Sequence, residues 1–470
     1  MNIKLNDIEI PKENPFENCK LGRKKYADIL TNIINSYNSG FVLGINNKWG
    51  TGKTTFVKMW LKDLKNKGHK TVYFNAWEND FEDNPLIALM GELKELTNKS
   101  TEPEFKSTLK KAAILSKHIT PIIAKAIAEQ YIKTQGIKDA ITEITKGLSE
   151  VFENEVTEYA KKKKSIADFK KSLTEFIANT YDGKPLVFVI DELDRCRPNY
   201  AVSILEQIKH FFSVPNVVFV LSIDKIELGN AIKGVYGSDL IDSEEYLRRF
   251  IDLEYSLPEP DAGKYYKYLI EYYKFNEFFN SSERLRYREL QNDSKIFLKI
   301  ANLLFTNQNI PLRQQEKIFA LARIALRSFG PNNFVIPQIL LLLSYIKITN
   351  LQLYQNIKNK KLSLLELQEE FLKIFISVVK DETERDLIWF EAYLLNLYHN
   401  YIEPRYNRNV LYEFDSETGS NKLLINSIIN KEKNTVLLNV LEIINGIRNE
   451  GDLDLSYLLK RIDLLENLIS

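Results

Sequence analysis

Lys53 lies in a run, Asn47-Lys48-Trp49-Gly50-Thr51-Gly52-Lys53-Thr54, whose residue types suit the holding of phosphate. The spacing is that of the phosphate-binding loop G-x-x-x-x-G-K-[ST], with Asn47 where the first glycine stands in the strict pattern. Asparagine tolerates left-handed backbone better than most residues, so the turn survives the exchange. Gly50 and Gly52 allow the chain to curl until several N–H groups face one anion. A helix starting near Lys53 adds the positive end of its dipole. Lys53 is expected to reach the β- and γ-phosphates of a nucleotide, and the Thr54 hydroxyl to ligate Mg²⁺. Asn47, Lys48, Trp49, Thr51 and Thr55 complete the expected cradle.

A phosphate loop alone only binds; hydrolysis also needs a water-activating base and charge stabilisers. Leu186-Val187-Phe188-Val189-Ile190 reads as a buried strand and ends in Asp191-Glu192. Two unpaired carboxylates at the end of a buried strand are costly unless they do work. Asp191 is therefore expected to hold Mg²⁺ beside Thr54, and Glu192 to polarise the attacking water. Asp224, with Ser222 as the alternative, ends the next strand, where a polar group can sense the γ-phosphate; the competing reading of Asp224 is a helix cap. Arg248 and Arg249 stand before the last strand, placed either to reach a neighbouring subunit's nucleotide or to form surface ion pairs. Arg313 opens a helix further on and could report the nucleotide's state.

These residues need a scaffold. Phe41-Val42-Leu43, Thr71–Phe74, Leu186–Ile190, Val217–Ile223 and Phe250–Leu257 read as strands, the last halted by Pro258 and Pro260. Amphipathic runs at 24–37, 53–61, 86–96 and 202–212 read as helices between them, and strand–helix–strand spacing predicts parallel neighbours. Residues 1–20, with Pro11 and Pro15, read as an extended leader. Residues 97–180 carry no strand signal and read as a helical insertion, with an amphipathic run at 114–132 and four lysines at 161–164. From Asp261 onward no convincing strand is seen. Lys264–Phe279 reads as one amphipathic helix burying tyrosines, and further helices are expected at 311–326, 335–347, 363–379, 385–402, 422–430, 435–447 and 454–468. Gly330-Pro331-Asn332 marks a joint.

Composition bounds the remaining possibilities. The 470 residues exceed one ordinary core, so several domains are expected. Sixty-four Lys+Arg against 63 Asp+Glu leave a net charge of +1, so no global field draws in nucleic acid or an anionic membrane. Any such contact must come from a local patch, of which Lys161–Lys164 is the candidate, against the alternative of a solvated helix face. Two cysteines and four scattered histidines give no metal-ligand spacing and suit a reducing, cytoplasmic setting. The N-terminus has no apolar core of a signal peptide, and the longest apolar runs are shorter than a membrane span needs.

The segments KWGTGKTTF at 48–56, FNAWE at 74–78 and LVFVIDELDRC at 186–196 together resemble the KAP family of P-loop NTPases, in the AAA+/STAND-like branch. VFVLSIDKIELGNAI at 218–232, YLRRFIDLEYSLPEP at 246–260 and PLRQQEKIFALARIAL at 311–326 extend the resemblance, which runs from about residue 15 to about 365. It implies an α/β fold: a parallel-sheet P-loop NTPase core at 21–260 containing the 97–180 insertion, an all-α lid at 261–330 and a C-terminal helical domain at 331–470. It implies ATP and Mg²⁺ as cofactors; ATP rather than GTP rests on the family. In many members the insertion carries transmembrane helices, but residues 97–180 are too polar for that. Bacterial members are often linked to defence against phage. Asn47 and Arg249, where the family tends to have glycine and lysine, are departures. The reading that follows is an ATP-hydrolysing switch that forms homo-oligomers and controls a separate effector protein. A nucleic-acid-stimulated motor or loader, and a scaffold that binds ATP without turnover, are the alternatives.

Overall fold

Short runs of β-branched and aromatic residues alternate with amphipathic segments in the first half of the chain, and they fold as strands and helices accordingly. In the computed structural model, residues 8–37, 40–82, 84–131, 148–180, 183–210, 212–237, 241–259, 262–306, 310–403, 410–416, 419–447 and 450–464 are described, with side chains described outside 117–156 and 262–264. They divide into two compact units, the first ending at Glu259 and the second running from Pro260.

The first unit follows the order α1 (Lys24–Ser36), β1 (Phe41–Asn46), α2 (Lys53–Asn66), β2 (Thr71–Asn75), α3 (Pro85–Leu93), α4 (Glu102–Tyr131), α5 (Leu148–Thr180), β3 (Leu186–Asp191), α6 (Pro198–His210), β4 (Val217–Ile223), α7 (Lys225–Tyr236), α8 (Ser243–Arg248) and β5 (Leu253–Ser256). The strands form one parallel five-stranded sheet, ordered β2-β3-β4-β1-β5. β3 and β4 are buried along their whole length, which is why they read as continuous apolar runs rather than alternating ones. Leu43, Ile45, Val187, Val189, Val218 and Val220 form one core with Phe56, Trp60 and Leu30 of α2 and α1. Phe188, Ile190, Phe219 and Leu221 point to the other face, into a core shared with α3, α6 and the bases of α4 and α5. Phe105 against Phe176 and Thr108 against the Ser172 hydroxyl show α4 and α5 running antiparallel.

β5 is shorter than the Phe250–Leu257 run suggests. Phe250 and Ile251 still follow the turn that ends α8, bonding back to Leu247, and Phe250 buries itself in the sheet's second core. Their apolar character reflects that burial and not strand pairing.

The second unit holds α9 (Ala262–Tyr272), α10 (Phe275–Phe279), α11 (Asp293–Phe305), α12 (Leu312–Leu326), α13 (Pro337–Thr349), α14 (Leu351–Lys358), α15 (Leu364–Phe375), α16 (Asp381–Ile402), β6 (Tyr412–Asp415), β7 (Ser420–Leu423), α17 (Asn434–Gly446) and α18 (Ser456–Ile462). The tyrosine-rich run is two helices, because Lys274 takes a left-handed backbone (φ 57°) between α9 and α10. Tyr265, Tyr266 and Tyr273 are buried, as an amphipathic reading requires. The expectation of helix at 422–430, and of no strand beyond 261, is corrected: β6 and β7 pair antiparallel, with Tyr412 opposite Leu423. Gly419 in left-handed backbone (φ 65°) closes the turn onto Asp415. Leu423 and Ile425 then pack under α16 and α17 while Leu424 stays exposed, an alternation that an apolar count mistakes for a helix face.

Candidate nucleotide-binding site

The loop between β1 and α2 stands at the C-terminal edge of the sheet, where parallel strands leave a crevice at a change of direction. β4 lies between β1 and β3, so Ser222 and Asp224 at its end come between the loop and the Asp191-Glu192 pair. Gly50 (φ 74°) and Gly52 (φ 79°) both take left-handed backbone, the use expected of them. Asn47 replaces the first glycine without disturbing the turn. Its side chain donates to the Leu257 carbonyl at 2.7 Å and accepts from the Lys48 N–H at 2.7 Å, tying β5 to the loop.

Lys53 opens α2 and is buried. Its ammonium donates to the carbonyls of Asn47 and, at 3.0 Å, Lys48. Burial lowers its pKa, against the raising influence of Asp194, Asp224 and Asp191. A buried cation whose direct partners are two neutral carbonyls of a curled loop fits an incoming phosphate. Thr51 braces the same turn by donating to the Lys48 carbonyl at 2.9 Å. Thr54 and Thr55 follow in the first turn of α2, both half-buried.

Asp191 continues the row of Val187 and Val189, on the sheet face that packs against α2. It is 1% exposed and accepts from the Tyr73 hydroxyl at 3.0 Å. Its other oxygen accepts the Glu192 N–H at 3.0 Å, which helps hold Glu192 at φ 59°. Both Glu192 oxygens are engaged, one by Arg195 at 2.9 Å and one by the Asn75 side-chain amide at 3.4 Å. Burial holds the Glu192 carboxyl above the usual glutamate range, against the pull of Arg195. Thr54 and Asp191 carry hard oxygens, the donor type that suits Mg²⁺ completed by phosphate and water. Among the described residues there is no all-protein cluster of His, Cys, Asp or Glu that could hold a metal.

Asp224 caps α7, accepting from Ile226 N–H at 3.2 Å, and its second oxygen accepts from Trp49 N–H at 3.1 Å. The helix-cap reading thus describes its contacts, with a loop contact added. Arg248 is exposed and pairs with Glu245 at 3.0 Å on its own helix; Arg249, also exposed, follows it. Arg313 belongs to the second unit, exposed near the start of α12. The structure thus brings together Asn47–Thr55, Asp191, Glu192 and Asp224 within the first unit.

Sequence reading gave no role to four residues that touch this constellation: Arg23, Tyr73, Asn75 and Asp194. Arg23 is 2% exposed and donates to the Gly52 carbonyl at 3.1 Å. Asn75 is the last residue of β2 and Tyr73 stands two before it; β2 pairs with β3 at Asn75 opposite Asp191. A polar residue closing an apolar strand was the available signal. Asp194 is signalled only by its place next to the carboxylate pair.

A family model described as the KAP family P-loop domain matches residues 23–327, well over half of the chain. The chain belongs to the KAP family of P-loop NTPases. Among curated proteins, the KAP chain is 23% identical over 337 residues to the phage T7 exclusion protein of Escherichia coli K12, covering 67% of this chain and 42% of that protein. It is 42% identical over 62 residues to an uncharacterized protein of Methanocaldococcus jannaschii, covering 13% and 31% respectively. The chain thus spans less than half the length of these curated relatives. Among solved structures, the Aeropyrum pernix ORC2 protein, in ADPNP and ADP complexes, covers 90% of this chain and 94% of its own at 12% identity and a TM-score of 0.34, a likeness too low to carry an argument. Among the described residues no helix is long and apolar enough to cross a membrane.

Proposed function

We propose that this KAP NTPase is a Mg²⁺-dependent ATP-binding and ATP-hydrolysing switch, coupling turnover to self-association and to control of a separate effector protein in defence against phage. The observation that carries the nucleotide reading is the buried Lys53 ammonium, held only by loop carbonyls, among Asp191, Asp194 and Asp224. In this reading the N–H groups of Gly50 to Thr54 and the Lys53 ammonium hold the phosphates, and Thr54 and Asp191 hold the cation. The nucleotide supplies the bond to be broken and Mg²⁺ spreads its charge. Glu192 accepts a proton from the attacking water once it is released by Asn75 and Arg195, its present partners. Asp224 links the loop to α7 and so transmits loop position. Arg248 and Arg249 are proposed charge stabilisers acting on a neighbouring copy, and Arg313 a reporter of the nucleotide's state; their exposure is what supports this. The defence role draws on the name of the E. coli relative and remains a proposal for a chain that spans under half of it.

A second reading, a nucleic-acid-stimulated ATPase, draws on the exposed lysines at 161, 163 and 164 of α5, of which Lys161 already pairs with Glu158. One experiment separates the two: ATP turnover by the purified chain, alone and with duplex DNA, single-stranded DNA or RNA, beside Lys53→Ala. Turnover lost in Lys53→Ala and indifferent to nucleic acid is expected. Strong stimulation by one nucleic acid would favour the second reading, and binding of ATP with no turnover would leave a scaffold.

A further inference from the structure

Trp49, like its neighbour Lys48, is an exposed residue of the phosphate loop, yet it makes two contacts that hold it in place. It is 44% exposed, and its backbone N–H donates to Asp224 at 3.1 Å. Its indole Nε1–H donates to Asp194 Oδ2. Asp194 sits in the single 3₁₀ turn Leu193–Arg195 directly after Glu192 and is 7% exposed. The indole is the direct hydrogen bond its carboxylate has from the loop, beside the backbone N–H groups of Asp194 and Asp224 and with the Lys53 charge nearby. The two anchors come from two different strand ends, β3 and β4, and both grip the same loop residue.

An exposed tryptophan in a Gly-rich turn has no packing reason to stay in one rotamer. A hydrogen bond from an indole to a buried carboxylate supplies one, because the carboxylate would otherwise be left desolvated with one donor fewer. Gly50 and Gly52 give the loop freedom that costs entropy to restrict at the moment a ligand binds. A fixed point just before Gly50 removes part of that cost in advance. The Trp49 amide is spent on Asp224, which leaves the amides from Gly50 onward as those the loop can turn to an anion.

We propose that Trp49 and Asp194 form a positioning pair that pins the phosphate loop to the turn after Glu192 and thereby sets nucleotide affinity. This rests on the nucleotide reading above. Neither side chain is a catalytic residue; they act on the loop backbone and on the turn that carries Arg195, the partner of Glu192. The pair therefore acts on binding more than on the cleavage step, and one consequence is that loss of either partner has the same result as loss of both.

The test is the dissociation constant of a fluorescent ADP analogue for the full chain and for Trp49→Phe, Asp194→Ala, Asp194→Asn and the Phe/Ala double variant, with thermal melting of each nucleotide-free protein. Trp49→Phe keeps the ring and loses only the N–H. It is expected to weaken binding on the order of tenfold, the size of one hydrogen bond to a charged group. Asp194→Ala should weaken binding similarly, the double variant no more than either single, and Asp194→Asn, whose amide oxygen still accepts from the indole, should bind nearly as the parent does. A merely structural role for Asp194 would not give this rescue together with non-additivity. Wild-type affinity in Trp49→Phe, or additive losses in the double variant, would overturn the proposal while Lys53→Ala still reports on the nucleotide reading. No binding by the parent chain would overturn that reading and the pair's role with it. If Asp194→Ala melts too low to assay, the outcome rests on Trp49→Phe and Asp194→Asn, which retain the core.

Discussion

The two side-chain oxygens of Glu192 are bound by Asn75 and Arg195, neither of them a residue of the phosphate loop. That arrangement makes a definite demand on the proposed chemistry. If Glu192 is the base, Glu192→Gln should bind ATP about as well as the parent and lose turnover by ~10²–10⁴-fold, the usual worth of general-base help. Retained binding in a filter assay with no released phosphate is the expected pattern; undiminished turnover would remove Glu192 from the role. The sign of the pH dependence follows from burial, which raises the Glu192 pKa. A base must be unprotonated, so turnover should fall as pH drops, with the acid limb above the ordinary glutamate value of ~4.3. Asn75→Ala removes a neutral donor to the carboxylate and should move that limb further up. Little of this was legible beforehand: strand-end position marks Glu192, but which side chains hold it depends on β2 being paired with β3.

At the scale of elements, the start of β1 is the least forgiving place near the loop. A Cβ on Gly40 would stand 2.4 Å from the Val214 carbonyl oxygen and 2.6 Å from that of Val217, both backbone atoms that cannot turn aside. Gly40→Ala is expected to destabilise the first unit by roughly 1–3 kcal/mol, as overpacking does, read as a lowered urea midpoint. At Gly44, four residues on, the nearest atoms a Cβ would meet belong to the Ile251 side chain, at 3.1 Å, which has rotamers to give. Gly44→Ala should therefore cost clearly less, and equal losses would contradict the steric account. A glycine before an apolar run is visible in sequence, but nothing local says that the carbonyl of Val214 lies against it. The same limit explains the hairpin of β6 and β7, where local spacing of Leu423, Leu424, Ile428 and Ile429 suits a helix and only the core under α16 and α17 selects the extended form.

At the scale of the molecule, each unit carries its own test. In the second unit Glu450 is buried and its pKa is pushed up to about 7, burial outweighing the hydrogen bond from Tyr393, with Asp293 and Glu289 adding to the rise. A carboxyl whose folded pKa is above its unfolded value of ~4.3 favours folding fully only at low pH. The contribution is present below about pH 4.5 and is lost as pH rises through about 7. Glu450→Gln should flatten the fall in melting temperature between pH 5 and 8, on the order of a few kcal/mol in all; an unchanged pH profile would mean Glu450 titrates normally. The exposed Arg248 and Arg249 motivate the second test. The mass of the chain by light scattering should rise on adding Mg²⁺ and a slowly hydrolysed ATP analogue, and should not rise for Arg249→Ala. A monomer under all conditions would count against action on a neighbouring copy.

Sequence by itself determined the loop, the apolar strands and the carboxylate pair. These are set by local requirements: left-handed backbone at Gly50 and Gly52, a buried strand's need for continuous apolar residues, and the cost of unpaired charge at its end. It also predicted the parallel pairing of β3 with β4, because the connection is one helix long. Tertiary structure decided the rest. Insertion of β4 between β1 and β3 is what brings Asp224 to Trp49 and Asp191 within the influence of Lys53. Whether Asp194 was a surface acid or an anchor could not be read from its neighbours in the chain, since its partner is 145 residues away. The physical reason is common to all these cases: backbone propensity and burial pattern act over a few residues, whereas a buried polar side chain is satisfied by whatever the fold places beside it.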